Sequence, residues 1–530
     1  MSRRLQSTPE GTSTTAALTG RKKPAQDKER SVAALRHVSK NTSRPEGAKE
    51  DGELPKGWRW VTLGDVAESM KNGIYKPASS YADDGLACLR MYNIGDGKIV
   101  WRDVKRMHLS EAEIREYELL PGDLLVNRVN SRELVGKSVA IPTGLERCVF
   151  ESKNIRVRIR RDLVSPEFVS YRLLSAGSRY FTQNAQQVVG MASISQPQVA
   201  RFPLPLPPLP EQRRIVAEIE KQFTRLETGV AALRRVQANL KRYRAAVLKA
   251  ACEGRLVPTE AELQKSAGRG QKSKARHETG AELLARILTE RRKNWQGRSQ
   301  YKEPAAPVTA HLPPRPAGWV VASLEQLTSA TRPICYGILM PKENVTTGVL
   351  FVKVKDMKGD TIDLEGLHRT TPEIAAKYAR AALKTRDLLL SIRGTYGRVA
   401  EVPKELDGGN ITQDTARLDV TGSVNHRYIA TCLRNPDCQN HFKRVARGVA
   451  VKGVNIGDVR PTPVPLPPLA EQTRIVAEVE RRLSVVQELE TVVSANLQRA
   501  TRLRQSILQK AFTGGLVLSA ESGNKPALPT

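Results

Sequence analysis

The chain is poor in signatures of membrane insertion, cross-linking and catalysis. No run approaches about 18 consecutive apolar residues, and the N-terminus has no apolar stretch of signal-peptide length. Neither a membrane span nor secretion is expected, so the expected location is the cytoplasm. The six cysteines (Cys88, Cys148, Cys252, Cys335, Cys432, Cys438) show no CxxC spacing and none recurs at half-chain distance, which argues against a disulfide frame or zinc site and for buried thiols. The seven histidines form no HExxH or paired spacing. Gly136-Lys137-Ser138 ends like a phosphate loop, but the first glycine of GxxxxGK[ST] would fall at Ser131. No glycine-rich cofactor fingerprint opens a helix, and Asn435-Pro436-Asp437-Cys438 departs from an NPPY-like target-base motif; a methyltransferase would need both. Asp123 with Glu151-Ser152-Lys153 could pass for a metal-nuclease set, yet Asp387 with Ile411-Thr412-Gln413 stands in the corresponding places of the second half. No catalytic residue and no metal site is expected.

What the chain does have is a phrase said twice. LPLPPLPEQRRIVAEIE at residues 204–220 returns as VPLPPLAEQTRIVAEVE at 464–480, identical at thirteen of seventeen positions. That spacing is far beyond the roughly 20 to 50 residues of a solenoid unit, so it marks two large halves built to one plan. Gly57-Trp58 answers Gly318-Trp319, and Leu63 and Val66 answer Leu324 and Leu327, predicting a short strand and turn at the opening of each half. PGDLLVNRV at 121–129 corresponds to TRDLLLSIR at 385–393, and Val135, Gly136, Val139, Ala140 and Pro142 align with Tyr396, Gly397, Ala400, Glu401 and Pro403. Glycine and proline punctuation returning in register implies a shared backbone. The halves differ most around 70–115 and 331–380, which suggests equal scaffolds carrying different surfaces for two related but unequal ligands.

The net charge is +30. A cationic surplus this large points to a polyanion partner, since neutralising phosphates releases counterions and drives association. The first fifty residues carry eleven Lys or Arg against five Asp or Glu, only six of the thirty charges, so the surplus lies mainly in the structured halves.

After each proline strap the spacing predicts a long amphipathic helix. Over 211–252 the apolar residues Ile219, Phe223, Leu226, Val230, Leu233, Leu240, Tyr243 and Val247 fall mostly three or four apart. Over 471–512 Ile475, Val479, Leu483, Val486, Leu489, Val493, Leu497, Leu503 and Ile507 form a comparable stripe. Helices of about 42 residues would be about 60 Å long, too long to be covered by one small domain, so the stripes are expected to bury each other as an antiparallel pair. Pairing between chains is the alternative. Gly254 and Gly514, in the matched endings LKAACEGRLV and LQKAFTGGLV, stand where a left-handed terminator belongs. Between the halves, a polar, basic linker holds a helix candidate at 281–295 and the proline-rich run HLPPRP.

The duplicated PLPPL strap with EQxRIVAE, the Gly-Trp openings, the GDLL-type strand, the ELLARILTERRKNW linker helix and the KAxxxGxLV endings together resemble the specificity subunit of type I restriction-modification enzymes over about residues 52–520. The resemblance implies an α+β chain, with two similar mixed α/β target-recognition domains joined by two long helices that form an antiparallel coiled coil. It implies a basic disordered tail at 1–51, target-recognition domains at 52–210 and 313–470, spacer helices at 211–252 and 471–512, a linker at 253–312 and a C-terminal tail at 513–530. The basic N-terminal extension is an addition to the family's usual start, near Leu54.

The function implied is sequence reading without chemistry. Each domain would read one part of a split, asymmetric site in double-stranded DNA, and the helices would set the unread gap. Two methyltransferase (modification) subunits would dock on the helices, supplying S-adenosylmethionine-dependent adenine methylation. A restriction/translocase subunit would bring ATP and Mg²⁺, leaving no cofactor in this chain. Ile219, Phe223, Leu226, Val230, Leu233 and Leu240, with Val479, Leu483, Val486, Leu489, Val493 and Leu497, are the expected spacer and docking positions. A self-sufficient restriction or modification enzyme and a coiled-coil architectural DNA binder without sequence preference are the competing classes.

Base readout needs donors and acceptors on loops that reach a groove. The glycine-marked segment with Lys71, Asn72, Tyr75 and Lys76 corresponds to the one with Tyr336 and Lys342. Tyr92 and Asn93 are set beside Lys353 and Lys355, and Arg128, Asn130 and Arg132 beside Arg393, Tyr396 and Arg398. Lys153 and Asn154, with Arg444, Arg447, Lys452 and Asn455, complete the expected contact set.

Overall fold

The computed structural model describes residues 53–517 except 96, 189, 267–277, 298–299, 310–311 and 450. The tail expected at 1–51 and most of the one expected at 513–530 lie outside the described residues. The chain groups into two compact units: one holds residues up to Ala231 and those from Leu497 onward, and the other is Ala232–Asn496.

Each repeated half opens on the strand that the Gly-Trp turn predicts, and that strand pairs with the proline strap. Arg59–Thr62 runs antiparallel to Pro203–Leu206, and Val320–Ser323 to Pro463–Leu466. Prolines two residues apart direct their missing donors to the same side, away from the ladder, which a two-stranded sheet tolerates.

In the first unit a four-stranded sheet has the order Ser138–Ala140, Leu124–Asn127, Asn154–Ile159, Ala67–Asn72, all antiparallel. In the second unit the order is Val399–Glu401, Leu388–Ser391, Thr415–Leu418, Cys335–Tyr336, again antiparallel. The Leu-rich strands are continuous apolar runs because both faces of these sheets are covered. Leu124 and Val126 enter one core and Leu125 another; Leu388 and Leu390 enter one and Leu389 another. A second, mixed sheet also recurs. Leu86–Leu89 pairs antiparallel with Lys105–Met107 and parallel with Cys148–Phe150, as Val349–Val352 does with His368–Thr370 and Asn410–Ile411.

The register corrects one sequence correspondence. Asn154 pairs with Asn127 and Thr415 with Ser391, and the parallel bridges join Ile74 to Glu151 and Ile338 to Thr412. Glu151 is therefore matched by Thr412, not Ile411, and Lys153 by Asp414; a slip of one residue is invisible in sequence where the side chains have drifted.

The strap leads into helices Leu209–Cys252 and Leu469–Phe512, of 44 residues each. The repeated Glu-Gln pair fixes their starts. Trp58 Nε1 donates to Glu211 at 3.2 Å and Trp319 Nε1 to Glu471 at 2.9 Å. Gln212, fully buried, donates to the carbonyls of Pro207 and Leu163 and accepts from the Ser165 amide; Gln472 donates to Pro467 and accepts from Asn425. The helices stop at Gly254 and Gly514, with φ of 71° and 78°. A Cβ at either would lie 2.3 Å from a proline ring atom, of Pro316 or Pro55 respectively. The linker carries helices Glu260–Ser266 and Gly280–Lys293, the second capped by Thr279 and Glu282.

Within each unit the long helices pack with opposed direction. In the first, Ile215, Ile219 and Phe223 share a core with Ile507, Leu508, Ala511 and Phe512, and Arg504 lies 4.5 Å from the centre of the Phe223 ring and 3.8 Å from Glu227. In the second, Val247, Leu248, Ala251 and Cys252 pack with Ile475, Val476 and Val479, and Arg244 meets Glu490 at 3.2 Å. Burial along the second helix falls on Val479, Val486, Val493, Ala500 and Ile507, seven residues apart. Val479, Val486 and Val493 of the expected stripe are thus buried, as are Ile219, Phe223 and Leu240, while Leu226, Val230, Leu233, Leu483 and Leu497 are half-buried. Leu489, Tyr243 and Leu503 are corrected: at 45%, 46% and 48% exposure they face solvent. A second shielded series runs four positions after the first, Leu483, Glu490, Leu497 and Arg504, with Phe223, Val230, Gln237, Arg244 and Ala251 on the other helix; each exposed residue stands one position before it, and the seam takes Glu490, Arg244 and Arg504 instead.

Candidate nucleic-acid interface

A chain of backbone hydrogen bonds gathers the candidate loops at one end of each four-stranded sheet. In the first unit Ser152 N donates to Ile74 O (2.9 Å), Arg128 N to Lys153 O (2.8 Å) and Ile194 N to Arg128 O (2.9 Å). In the second, Gln413 N donates to Ile338 O (2.9 Å), Ile392 N to Asp414 O (2.8 Å), Gly394 N to Lys452 O (3.0 Å), and Arg447 and Gly453 exchange a pair at 2.8 Å. Each loop is thereby stitched to the next, making a rim.

The first rim segment turns on a glycine that no other residue can replace. A Cβ at Gly73 would lie 2.2 Å from the Glu151 carbonyl oxygen, and one at Gly337 1.9 Å from that of Ile411. This close approach buries the next residue, Ile74 or Ile338, and turns the residues after it toward solvent. Tyr75 is 83% exposed; in the second unit Leu339 and Met340 are 46% and 80% exposed.

The expected contact residues divide by what holds them. Arg132, Lys153, Lys342, Lys355, Arg393, Arg444, Arg447, Lys452 and Asn455 are exposed, as are Tyr75 and Tyr92. Lys355 lies 3.0 Å from Asp356, and Arg447 3.9 Å from Asp458. Others are partly engaged. Lys71 pairs with Glu116 and stands 5.0 Å from the centre of the Tyr117 ring, Asn72 accepts from Gln196, and Lys76 binds Glu113 at 2.6 Å. Lys76 and the Ser110 cap hold the Glu113 carboxyl down at about 2. Lys353 approaches His368 Nδ1 at 3.1 Å, and Arg380 lies 5.5 Å from the centre of the Tyr336 ring. Arg128 donates to Ile194 O, Arg398 donates to Val354 O and Met357 O, and Tyr396 packs against the core.

Three expected readers are corrected. Asn93 is buried, donating to Val100 O and Arg102 O and accepting from the Arg90 amide. Asn130 and Asn154 are buried in a network with Asn127, in which Asn127 Nδ2 donates to Asn154 (3.1 Å) and Asn130 Nδ2 to Asn127 (2.9 Å). Their amides are spent shaping loops and are not presented to solvent.

Sequence reasoning missed the groups that stiffen the rim. Glu151 accepts from the Met91 amide at 3.0 Å and from the Tyr81 hydroxyl at 3.4 Å. Burial foremost, with the Glu151 carboxylate beside it, pushes the Tyr81 phenol up to about 12, keeping it a donor. Arg90 spans this corner, 5.9 and 5.6 Å from the ring centres of Tyr81 and Tyr92. Arg156 and Arg417 occupy matching strand positions, opposite Leu125 and Leu389. Arg156 donates to the carbonyls of Glu116 and Glu118, and the fully buried Arg417 to those of Arg332, Pro333 and Arg380. Among the described residues no group of three or more His, Cys, Asp or Glu could hold a metal ion, and no helix is long and apolar enough to cross a membrane.

A family model described as the type I restriction modification DNA specificity domain matches residues 55–232 and 338–495, well over half of the chain. The EcoBI type I restriction enzyme specificity subunit of Escherichia coli is 25% identical over 474 residues, spanning 88% of each chain. The EcoKI specificity subunit of Escherichia coli strain K12 is 24% identical over 487 residues, spanning 89% of this chain and 92% of its own. A solved chain from work on "complex assembly and conformational transition of the type I R-M system" superposes with a TM-score of 0.56 at 21% identity, covering 88% of this chain and all of that one, which is a likeness of fold. With two matched segments, one in each repeated half, the chain belongs to the type I restriction-modification DNA specificity family.

Proposed function

We propose that this chain is the DNA sequence-specificity subunit of a type I restriction-modification enzyme, each unit reading one part of a bipartite, asymmetric site. The observation that carries the reading is the repeated strand order beneath two unlike rims: one scaffold twice, with Tyr75 and Tyr92 on the first and Leu339 and Met340 on the second. Exposed Arg132, Lys153, Arg393, Arg444 and Lys452 supply cations for phosphates, in keeping with the +30 charge. The target-recognition domains are 52–210 and 313–470, and the chain itself catalyses nothing.

The two long helices act as an antiparallel coiled coil that sets the unread gap and docks two methyltransferase subunits. The seven-residue burial period supports the coiled coil. Docking is supported by an apolar stripe left open in the second unit, formed by Val236 and Tyr243 on one helix and Val485, Leu489 and Val492 on the other. S-adenosylmethionine would serve the methyltransferase subunits, and ATP and Mg²⁺ a restriction/translocase subunit. The cytoplasm, where the DNA lies, is the place of action.

Co-expression with a modification subunit, followed by mapping of methylated adenines, tests the reading. A split motif with a fixed gap is expected. An unsplit motif, or binding that random duplex abolishes in competition, would instead favour an architectural binder without sequence preference.

A further inference from the structure

We infer that Leu339 and Met340 contact the 5-methyl group of a thymine in the half-site read by the second unit, an inference that rests on the specificity reading above. The two side chains are the apolar tip of a fixed loop. Ile338 is clamped from both sides, its amide donating to Ile411 O at 2.7 Å and its carbonyl accepting from Gln413 N at 2.9 Å. On the far side, the Pro341 carbonyl accepts from Thr370 Oγ1 at 3.1 Å. Lys342 then takes a left-handed backbone, φ 58°, which a lysine adopts at a cost in strain.

A loop tied down this firmly could have folded Met340 against the neighbouring core. It presents the side chain to water instead, at 80% exposure, with the Leu339 side chain half in solvent beside it. The rim around the pair is cationic, with Lys342, Arg393 and Lys452 all exposed. Thioether and isobutyl groups neither donate a strong hydrogen bond nor neutralise a phosphate, so on a duplex they can discriminate only by apolar contact. The apolar group that distinguishes one base pair from another in the major groove is the thymine methyl. In the first unit the residue after the clamped isoleucine is Tyr75, which has a hydroxyl and can read polar edges. The same loop therefore carries an apolar probe in one unit and an amphipathic one in the other.

The test uses the full chain co-expressed with its modification subunit and a duplex bearing the mapped site. Each thymine of the second half-site, on either strand, is replaced singly by deoxyuridine, which removes only the methyl group. One position is expected at which wild-type affinity falls about fourfold. L339A/M340A should be indifferent to that replacement, with an unchanged salt dependence because no phosphate contact is lost. Met340→Leu, which keeps an apolar tip, should retain the sensitivity and controls for loop folding. The inference is overturned if no thymine methyl matters to the wild type, if the sensitivity survives in L339A/M340A, or if the half-site contains only G·C pairs. A wild-type chain indifferent to every base overturns the specificity reading and this inference together; a chain that selects its site but ignores every thymine methyl overturns this inference alone.

Discussion

The two units solve one buried-charge problem with different residues. Both keep an aspartate at the start of the Leu-rich strand, Asp123 or Asp387, nearly inaccessible and gripped by a bidentate guanidinium. In the first unit the guanidinium is Arg158, on the adjacent strand. The matching position in the second unit is Asp419, and Arg332 comes from the loop before Cys335–Tyr336 to bind Asp387 at 2.7 Å and Asp419 at 3.2 Å. The requirement to pair a buried carboxylate persists between the units, and the residue that meets it does not. The same holds at the rim, where Glu151 ties Met91 and Tyr81 together and its counterpart is Thr412. Scaffold chemistry is retained or compensated, whereas the chemistry presented outward is free to differ.

The largest expected effect breaks the comparison at the matched arginines. Arg417→Met strands three carbonyls in the core and should cost about 3 kcal/mol, while Arg156→Met strands two at a less buried site and should cost about 2 kcal/mol. Hydrogen exchange should show the loss of protection in Thr415–Leu418 for the first and in Asn154–Ile159 for the second, each confined to its own unit; equal loss in both units would contradict independent cores. Next come the tryptophan anchors. Burial pushes the Glu471 carboxyl up, and Trp319 is one of the donors that keep it satisfied, so Trp319→Phe should destabilise by about 1.5 kcal/mol. Trp58→Phe, removing a longer bond to Glu211, should cost less, and denaturant midpoints would rank the two.

The helix seam gives a smaller effect. Glu490→Leu leaves Arg244 half-buried without its carboxylate and should cost about 1 kcal/mol, which adding Arg244→Leu should recover; failure to recover would show that the pair is not coupled. Smallest of all, Lys153→Ala or Arg393→Ala should lower the slope of log affinity against log salt by about 1 without changing which bases are preferred.

Much of this architecture is legible in the sequence, because prolines and glycines act through the backbone, the Glu-Gln pair acts through buried side-chain bonds, and both tolerate little drift. The long helices begin two residues before the predicted start, at Leu209 and Leu469, and end where the glycines require. The seam departs from the sequence pattern where hydrophobicity and phase disagree: Tyr243, Leu489 and Leu503 are apolar but out of register, and the charged residues beside them are in register. The strand NIRVRI alternates like a sheet with one wet face, so Arg156 reads as a surface residue; only the cover over its second face turns it inward. The buried asparagines mislead for a related reason. An amide that shapes a loop and one that reads a base look alike until burial is known.

Selection of bound duplexes from a random pool, run in parallel with the wild-type chain, Tyr75→Ala and L339A/M340A, tests the central claim most directly. Two independent readers predict a split consensus in which the first substitution relaxes one part, the second relaxes the other, and the gap stays fixed. Relaxation of both parts by either substitution, or a consensus with no split, would contradict it.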